Sequence, residues 1–467
     1  DPFLYLLQLE LAEVAGASIQ VEHVKIGFRT VAIVDGQLCV NGRPIVVAGA
    51  NVHEMHPRRG KAINEEDMLK DIEMLKLGNF NAVRNSHYPH HPRWYELCDE
   101  HGLYMVDEAN IETHGFVENG AISLLACDQV WREQFLHRFF NMFQRAKNHS
   151  CVIVWSLGNE SGWGPNFAMG AESLHRWDPQ QRPVQYEGAT CLDDAVMLFG
   201  DGQGAGSDII CPMYWSPPMI LPLAASRTRP VILCEYSHAL GNSNGSLHSY
   251  WELIWSSAPE HRCIQGGFVW EWADGAVKVH KAEIRDPDVK GKRDREAWLE
   301  GEYGYGGDFG KASGRQDRNF IVDGILFPDR TPHPAYEDFK RLQQPLEFHL
   351  VKTTEESTEC QVAKVRVRNR YAFKDLGHLS FVALVFDACG EKQQCTIRGN
   401  VDMRDVCPGE AREVDIAMEM APPQLRQHGQ WLVIQAYQTE RSQLVPEKHI
   451  IAEGCFTICP PRTASDK

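Results

Sequence analysis

Two runs decide the fold: Ile153-Val154-Trp155-Ser156-Leu157-Gly158-Asn159-Glu160 and Val231-Ile232-Leu233-Cys234-Glu235. Each carries a short, continuously apolar stretch and ends on a glutamate. A strand that is apolar on both faces belongs in a parallel sheet covered on both sides. Similar runs occur at Ile45–Ala50, Ala82–Asn85, Tyr104–Asp107, Val184–Tyr186, Ile209–Met213 and Gly267–Trp270. Helical patterns fall between several of them. Asn64–Leu77 opens on Glu65, Glu66 and Asp67, where the helix dipole favours acids, and Pro92–Glu100 and Val130–Lys147 follow. Eight such strands over residues 44–342, with helices between several of them, predict an α/β chain with a catalytic (β/α)8 TIM barrel.

The flanks read differently. In residues 1–43, Ser18–Lys25 alternates, Phe28–Val34 follows, and Gln37–Val40 runs into the turn signal Asn41-Gly42. Immunoglobulin-like sandwiches take about 100 residues, so this segment is expected to be a partial one. Phe3–Leu9 is apolar but follows Asp1 rather than Met and basic residues, so it does not resemble a signal peptide. A chain that opens mid-pattern is expected to be processed or a fragment. After a charged stretch, Val277–Glu300, read as solvated, and a Gly-rich loop, Gly301–Gly314, strand alternation returns. Cys360–Val367, Leu379–Phe386, Arg412–Met418 and Trp431–Tyr437 predict a C-terminal immunoglobulin-like β-sandwich over residues 343–467.

A net charge of −16 argues against nucleic acid and anionic membrane as partners, since both need clustered Lys and Arg. No apolar run approaches the roughly 18 residues of a membrane span. The 14 cysteines are scattered, mostly within apolar runs, with no C-x-x-C pair. That pattern reads as small buried hydrophobes in a reducing, cytoplasmic setting.

In such a barrel the chemistry sits just beyond the C-terminal ends of the strands. Polar and aromatic groups gather there: Asn51, His53, Glu54 and His56 after the first strand, and Arg84, Asn85, Ser86 and His87 after the second. Asp107, Glu108, Glu112 and His114 follow the third, Tyr214 and Trp215 the sixth, and Trp270, Glu271 and Asp274 the eighth. Glu160 and Glu235 end the fourth and seventh, so both face one mouth. Cleaving a glycosidic bond needs two such carboxyls, one to protonate the leaving oxygen and one to attack or to activate water. His53-Glu54-Met55-His56 does not make a zinc site, because the H-E-x-x-H spacing is one residue short and follows a strand.

The chain resembles glycoside hydrolase family 2, and within it the large bacterial-type β-galactosidases. The resemblance rests on Gly49–Glu54 (GANVHE), Arg84–Pro89 (RNSHYP), Leu103–His114 (LYMVDEANIETH), Trp155–Gly162 (WSLGNESG), Leu233–Ser243 (LCEYSHALGNS) and Gly267–Asp274 (GFVWEWAD). It implies a retaining hydrolase of terminal β-D-galactosyl residues, such as those of lactose, working through a covalent galactosyl-enzyme. Glu160 would be the acid/base, in surroundings that raise its pKa, and Glu235 the nucleophile, with Tyr214 hydrogen-bonded to it. His53, His87, Asn159 and His238 would bind sugar hydroxyls, and Trp270 would be the platform for the ring. Glu112, His114 and Glu160 would hold Mg²⁺. Phe320, through its backbone, and Asp323 would hold Na⁺, although the family pattern has Asn where this chain has Asp323. The same resemblance leaves room for a homo-oligomer. Full-length members carry further N- and C-terminal domains, so a second reading is an inactive remnant or partner chain. A third is a β-glucuronidase or β-mannosidase of the same family, with Arg84 the lone cation at the strand ends to meet a uronate.

Overall fold

The computed structural model describes residues 2–14, 16, 18–190, 206–225, 228–278, 303–305, 319–357, 360–387, 390, 392–398, 403–419, 429–442 and 444–459. The predicted stretches 279–302 and 306–314 lie outside them. The chain divides into two compact units, residues 1–75 with 80–339, and residues 76–79 with 340–467.

The first unit opens with an antiparallel ribbon, β1 (Tyr5–Ala12) and β2 (Ser18–Ile26), followed by the three-stranded sheet β3 (Val31–Val34), β4 (Gln37–Val40) and β5 (Arg43–Pro44). The apolar run after Asp1 is thus a strand. Its Tyr5, Leu7, Leu9 and Leu11 share one face with Val24 and Ile26 of β2, and nearly the whole ribbon is exposed.

Next come β6 (Val47–Val52), β7 (Ala82–Asn85), β8 (Tyr104–Glu108), β9 (Val152–Ser156), β10 (Val184–Gln185), β11 (Val231–Tyr236) and β12 (Ile264–Val269). They form one parallel sheet in the order β10-β9-β8-β7-β6-β12-β11. Residues 209–213, expected as a full strand, instead make single bridges, Gln185 with Ile209 on one side and Ile210 with Val231 on the other. Those bridges join β10 to β11 and close the barrel. The barrel strands are almost wholly buried, which explains why their sequences are apolar without alternation. At the opposite end from the mouth, Gln265 at the start of β12 accepts from the Leu38 amide at 2.6 Å and donates to Ile45 O at 2.6 Å, tying β4 to the barrel floor.

Helices Glu65–Leu77, Pro92–His101 and Arg132–Ala146 match the predicted ones closely, and Leu124–Cys127, Pro165–Trp177, Pro217–Ala224, Leu247–Ile254 and Pro334–Leu342 are further helices among the described residues. Short strands β13 (Val277–Lys278) and β14 (Tyr303–Gly304) pair antiparallel. No helix among the described residues is long and apolar enough to cross a membrane.

The second unit holds two four-stranded antiparallel sheets. One is β15 (Leu346–Glu355), β16 (Cys360–Asn369), β20 (Ala411–Glu419) and β19 (Thr396–Arg398); the other is β18 (Lys392–Gln394), β17 (Leu379–Asp387), β21 (Gln430–Gln438) and β22 (Ile450–Cys459). Along β16, Ala363, Val365 and Val367 point into a core shared with Leu432, Ile434 and Ala436 of β21. Every described cysteine is a free thiol. Those on the barrel strands are buried, as expected, whereas Cys127, Cys407 and Cys455 are exposed.

Candidate active site

The parallel strands deliver their C-terminal residues to one mouth, where a buried arginine organises them. Arg84, at the end of β7, is fully buried. Its Nε and Nη2 form a fork on Glu108 at 2.7 and 3.1 Å. Nη1 donates to Glu235 Oε1 at 2.9 Å and to Asn51 Oδ1 at 2.8 Å, and Nη2 also reaches Asn159 Oδ1 at 3.0 Å. One guanidinium therefore links β6, β7, β8, β9 and β11, and a planar five-donor fork suits that task in a way a lysine does not. Burial alone would push Glu108 up, but Arg84, His87 and Ser156 together hold its carboxyl below the ordinary range.

Glu235 is buried, and its second oxygen accepts the Tyr214 hydroxyl at 2.6 Å. The predicted Tyr214–Glu235 pair is thus formed. The backbone also sets it up, because Met213 bridges to Glu235 and the Tyr214 amide donates to Glu235 O at 2.9 Å. Burial and the adjacent Glu235 carboxylate push the Tyr214 hydroxyl far above its usual range, so it stays a donor. Three residues at this mouth have left-handed backbone, Glu160 at φ 35°, Tyr214 at 56° and Ser237 at 55°. Such conformations cost non-glycine residues roughly 1–2 kcal/mol each and collect at functional sites.

The predicted sugar-binding residues gather around these groups. His53 and His87 lie with ring centroids 5.4 Å apart, and Trp270 stacks on His87 at 5.2 Å while meeting His53 edge-on at 5.6 Å. His238 lies between Tyr214 and Phe320, at 6.0 and 4.9 Å. His53 Nδ1 is 2.5 Å from Glu271 Oε2. Burial, with His87 and Lys61 nearby, lowers His53 to about 3, so the contact is a hydrogen bond of a neutral imidazole rather than an ion pair. His87 differs: burial works against its charge, but the hydrogen bond and charge of Glu108, 2.7 Å away, prevail and raise it.

Glu112, His114 and Glu160 come together as expected, with one ligand atom from each all within 4.8 Å of one another. The Glu112–Asn159 bridge lays the two segments side by side. Asn159 Nδ2 reaches Glu112 Oε2 at 3.3 Å, and His114 Nδ1 hydrogen-bonds Glu160 Oε2. Two carboxylates and an imidazole are a donor set that a hard cation takes, with waters for its remaining positions. Asp323 Oδ2 accepts from the Trp270 indole at 2.8 Å, and its carboxyl is hydrogen-bonded to that of Glu271. Two buried acidic side chains side by side suit a cation that would relieve their repulsion. Burial and the facing Glu271 carboxylate push Asp323 well up.

Tyr186 and Glu187 are not among the site residues expected from sequence. They follow the fifth strand directly, so the strand-end rule applied there reaches them. Glu187 Oε1 accepts the Glu160 amide at 2.6 Å, and burial raises the Glu187 carboxyl well above its ordinary value.

Residues 31–348 match the family described as "Glycosyl hydrolases family 2, TIM barrel domain", and residues 365–458 match "Beta-galactosidase, domain 4". The chain is similar to a β-galactosidase of Vibrio cholerae, with 44% identity over 365 residues, 75% of this chain and 32% of that protein. It is also similar to one of Alteromonas mediterranea, with 40% identity over 437 residues, 90% of this chain and 37% of that protein. It therefore spans about a third of the length of these curated relatives. Among solved structures, the β-glucuronidase of Bifidobacterium dentium shares the fold, with a TM-score of 0.51 at 20% identity over 72% of this chain and 53% of that one.

Proposed function

The chain belongs to glycosyl hydrolase family 2, and from that premise we propose that it is a retaining β-galactosidase acting on terminal β-D-galactosyl residues. The observation that carries the reading is the hold on Glu235, whose two oxygens accept from Arg84 and Tyr214, with Glu160 at the same mouth. Two donors on two oxygens is the pattern a carboxylate accepts.

In the proposed reaction, the Glu160 carboxyl gives its proton to the glycosidic oxygen as the bond from C1 to that oxygen breaks. Glu235 forms a new bond to C1 from the opposite face. Water, deprotonated by Glu160, then attacks C1 and returns Glu235 to its carboxylate, so two inversions give net retention. His53, His87, His238 and Asn159 would hold the sugar hydroxyls, and Trp270 would offer the apolar face. Glu112, His114 and Glu160 would hold Mg²⁺, which when bound supplies positive charge beside Glu160. Phe320 and Asp323 would hold Na⁺. Arg84 is fully buried and committed to Glu108, Glu235, Asn51 and Asn159, so it is not available to meet a uronate carboxylate. That weighs against a glucuronidase.

The test is hydrolysis of a panel of nitrophenyl glycosides by the purified chain, with Glu235→Gln as control and the product anomer read by NMR. Preference for the galactoside, loss in the variant and a β-anomer first product are expected. Unchanged turnover in Glu235→Gln would refute the assignment, and turnover in neither protein would favour the inactive remnant.

A further inference from the structure

We propose that Tyr186 and Glu187 are positioning residues that clamp the Asn159–Gly162 turn and so aim the Glu160 carboxyl at the glycosidic oxygen. The inference rests on the reading of Glu160 as acid/base.

The turn is poorly suited to holding itself. Glu160 sits at φ 35°, between Gly158 at 143° and Gly162 at 66°. A left-handed glutamate is disfavoured by roughly 1–2 kcal/mol and has other backbone wells to relax into unless it is restrained from outside. Within the turn, one side-chain bond helps, from Ser161 Oγ to Asn159 O at 2.7 Å. Asn159 is held from the other side by Arg84, Glu112 and the Ile111 carbonyl, and the Glu160 carboxyl meets His114. The backbone from Glu160 to Gly162 is held by the chain just beyond β10. Glu187 Oε1 takes the Glu160 amide at 2.6 Å. The Tyr186 hydroxyl accepts the Ser161 amide at 3.1 Å and donates to Gly162 O at 2.8 Å. Backbone groups of three consecutive residues, Glu160, Ser161 and Gly162, are thus engaged by two neighbouring side chains.

The clamp is itself rigid. Tyr186 is fully buried and its ring stacks on Phe167 at 4.1 Å, while its amide is held by Ser207 Oγ at 3.0 Å. Space at the junction is tight, since a Cβ on Gly188 would come within 2.5 Å of Gly162 O, and one on Gly162 within 2.1 Å of Ser123 Oγ. Burying a carboxyl to bind one backbone amide is costly in desolvation. Placing that cost on the peptide of the acid/base makes sense where aim matters, because a displacement of about 1 Å can cost roughly 100-fold in rate.

Aim matters most when the leaving group needs a proton. The test compares kcat/KM for phenyl β-galactoside, whose leaving group needs one, with that for 2,4-dinitrophenyl β-galactoside, whose leaving group departs unaided. In Glu187→Ala we expect the phenyl substrate to lose about 100-fold and the dinitrophenyl substrate no more than about threefold. Glu187→Gln keeps a carbonyl acceptor for the amide and should recover the phenyl substrate to within about fivefold. Equal losses on both substrates, or Glu187→Gln as impaired as Glu187→Ala, would overturn the clamp. Tyr186→Phe, a smaller change, is judged by the same ratio should Glu187→Ala fail to fold. A crystal structure of the variant tests the clamp independently of activity: Glu160 should leave the left-handed region in Glu187→Ala, and its persistence there would refute the proposal. A wild-type chain inactive on both galactosides would count against the proposed activity, and the crystallographic φ would still decide the clamp.

Discussion

Replacing Arg84 by Met keeps most of the side-chain volume and removes the charge on which the mouth is built. The wild-type guanidinium is fully buried against Glu108 and Glu235, so its loss strands two acids away from water. Breaking one side of a buried ion pair costs about 3–5 kcal/mol, which exceeds anything the Met side chain regains by packing. The cost should depend on pH, and its sign can be worked out. In the wild type, burial pushes Glu108 up, but Arg84 leads the groups that hold it below its ordinary value. Its contribution is therefore present above the unfolded carboxyl pKa of about 4.3 and is lost as pH falls through the lower folded value. Without Arg84, burial wins and the folded value rises above the unfolded one, so the variant loses stability as pH climbs through it. The gap between the two proteins should widen from pH 5 to pH 8. Urea unfolding followed by tryptophan fluorescence measures that gap, and kcat/KM on an aryl galactoside should fall about 100-fold because Glu235 loses an orienting donor. A gap below about 1 kcal/mol at pH 7, or one that does not change with pH, would refute the argument.

Tyr214→Phe removes the 2.6 Å donor to Glu235 and should lower kcat/KM by about 100- to 1,000-fold with little change in thermal midpoint; wild-type rates would remove Tyr214 from the machinery. Glu112→Gln should weaken Mg²⁺ binding at least about tenfold by titration calorimetry, and unchanged affinity would exclude it as a ligand. An NMR titration of labelled histidines should protonate His87 well before His53 as pH falls, because Glu108 favours the charged form of His87 while burial keeps His53 neutral down to about 3. For His53 the unfolded chain takes the proton first, so this residue makes folding less favourable as pH drops below about 6.5, and the reverse titration order would refute the site's electrostatics.

The barrel was legible because burial on both faces leaves a direct trace in sequence: β7 and β9 fall at the predicted residues, Glu160 follows β9, and Glu235 is the last residue but one of the buried β11. Glycine obscured part of the rest. Strand eight was expected from Gly267, yet β12 begins at Ile264 and runs through Gly266 and Gly267. A Cβ on Gly266 would lie 2.0 Å from Val47 O, and one on Gly267 2.6 Å from Leu233 O, so these glycines mark close strand approach rather than a break. Helix Pro165–Trp177 escaped sequence detection for a related reason. Gly170 interrupts its apolar pattern at the point where the Phe139 ring, 2.2 Å from a notional Cβ, leaves no room for a side chain.

What no local pattern could supply is the wiring between strand ends. Arg84 and Glu235 are separated by 151 residues, and sequence left Arg84 open as a cation for substrate. Geometry closes that option, because every hydrogen bond found for its guanidinium goes inward, to protein groups already at the mouth. A polar residue after a barrel strand thus has two fates. Some would face substrate, as proposed for His53 and His87, and others, such as Arg84 and Glu108, hold their neighbours through buried hydrogen bonds. Composition does not separate them, since both classes are His, Glu and Arg at the same positions along a strand. Burial separates part of them: Arg84 and Glu108 are fully enclosed and His53 keeps about a quarter of its side chain exposed, while Glu235 and Asn159 are buried as well. Substitutions in the enclosed class should therefore be read out as stability and aim together, and those in the open class as affinity for the sugar.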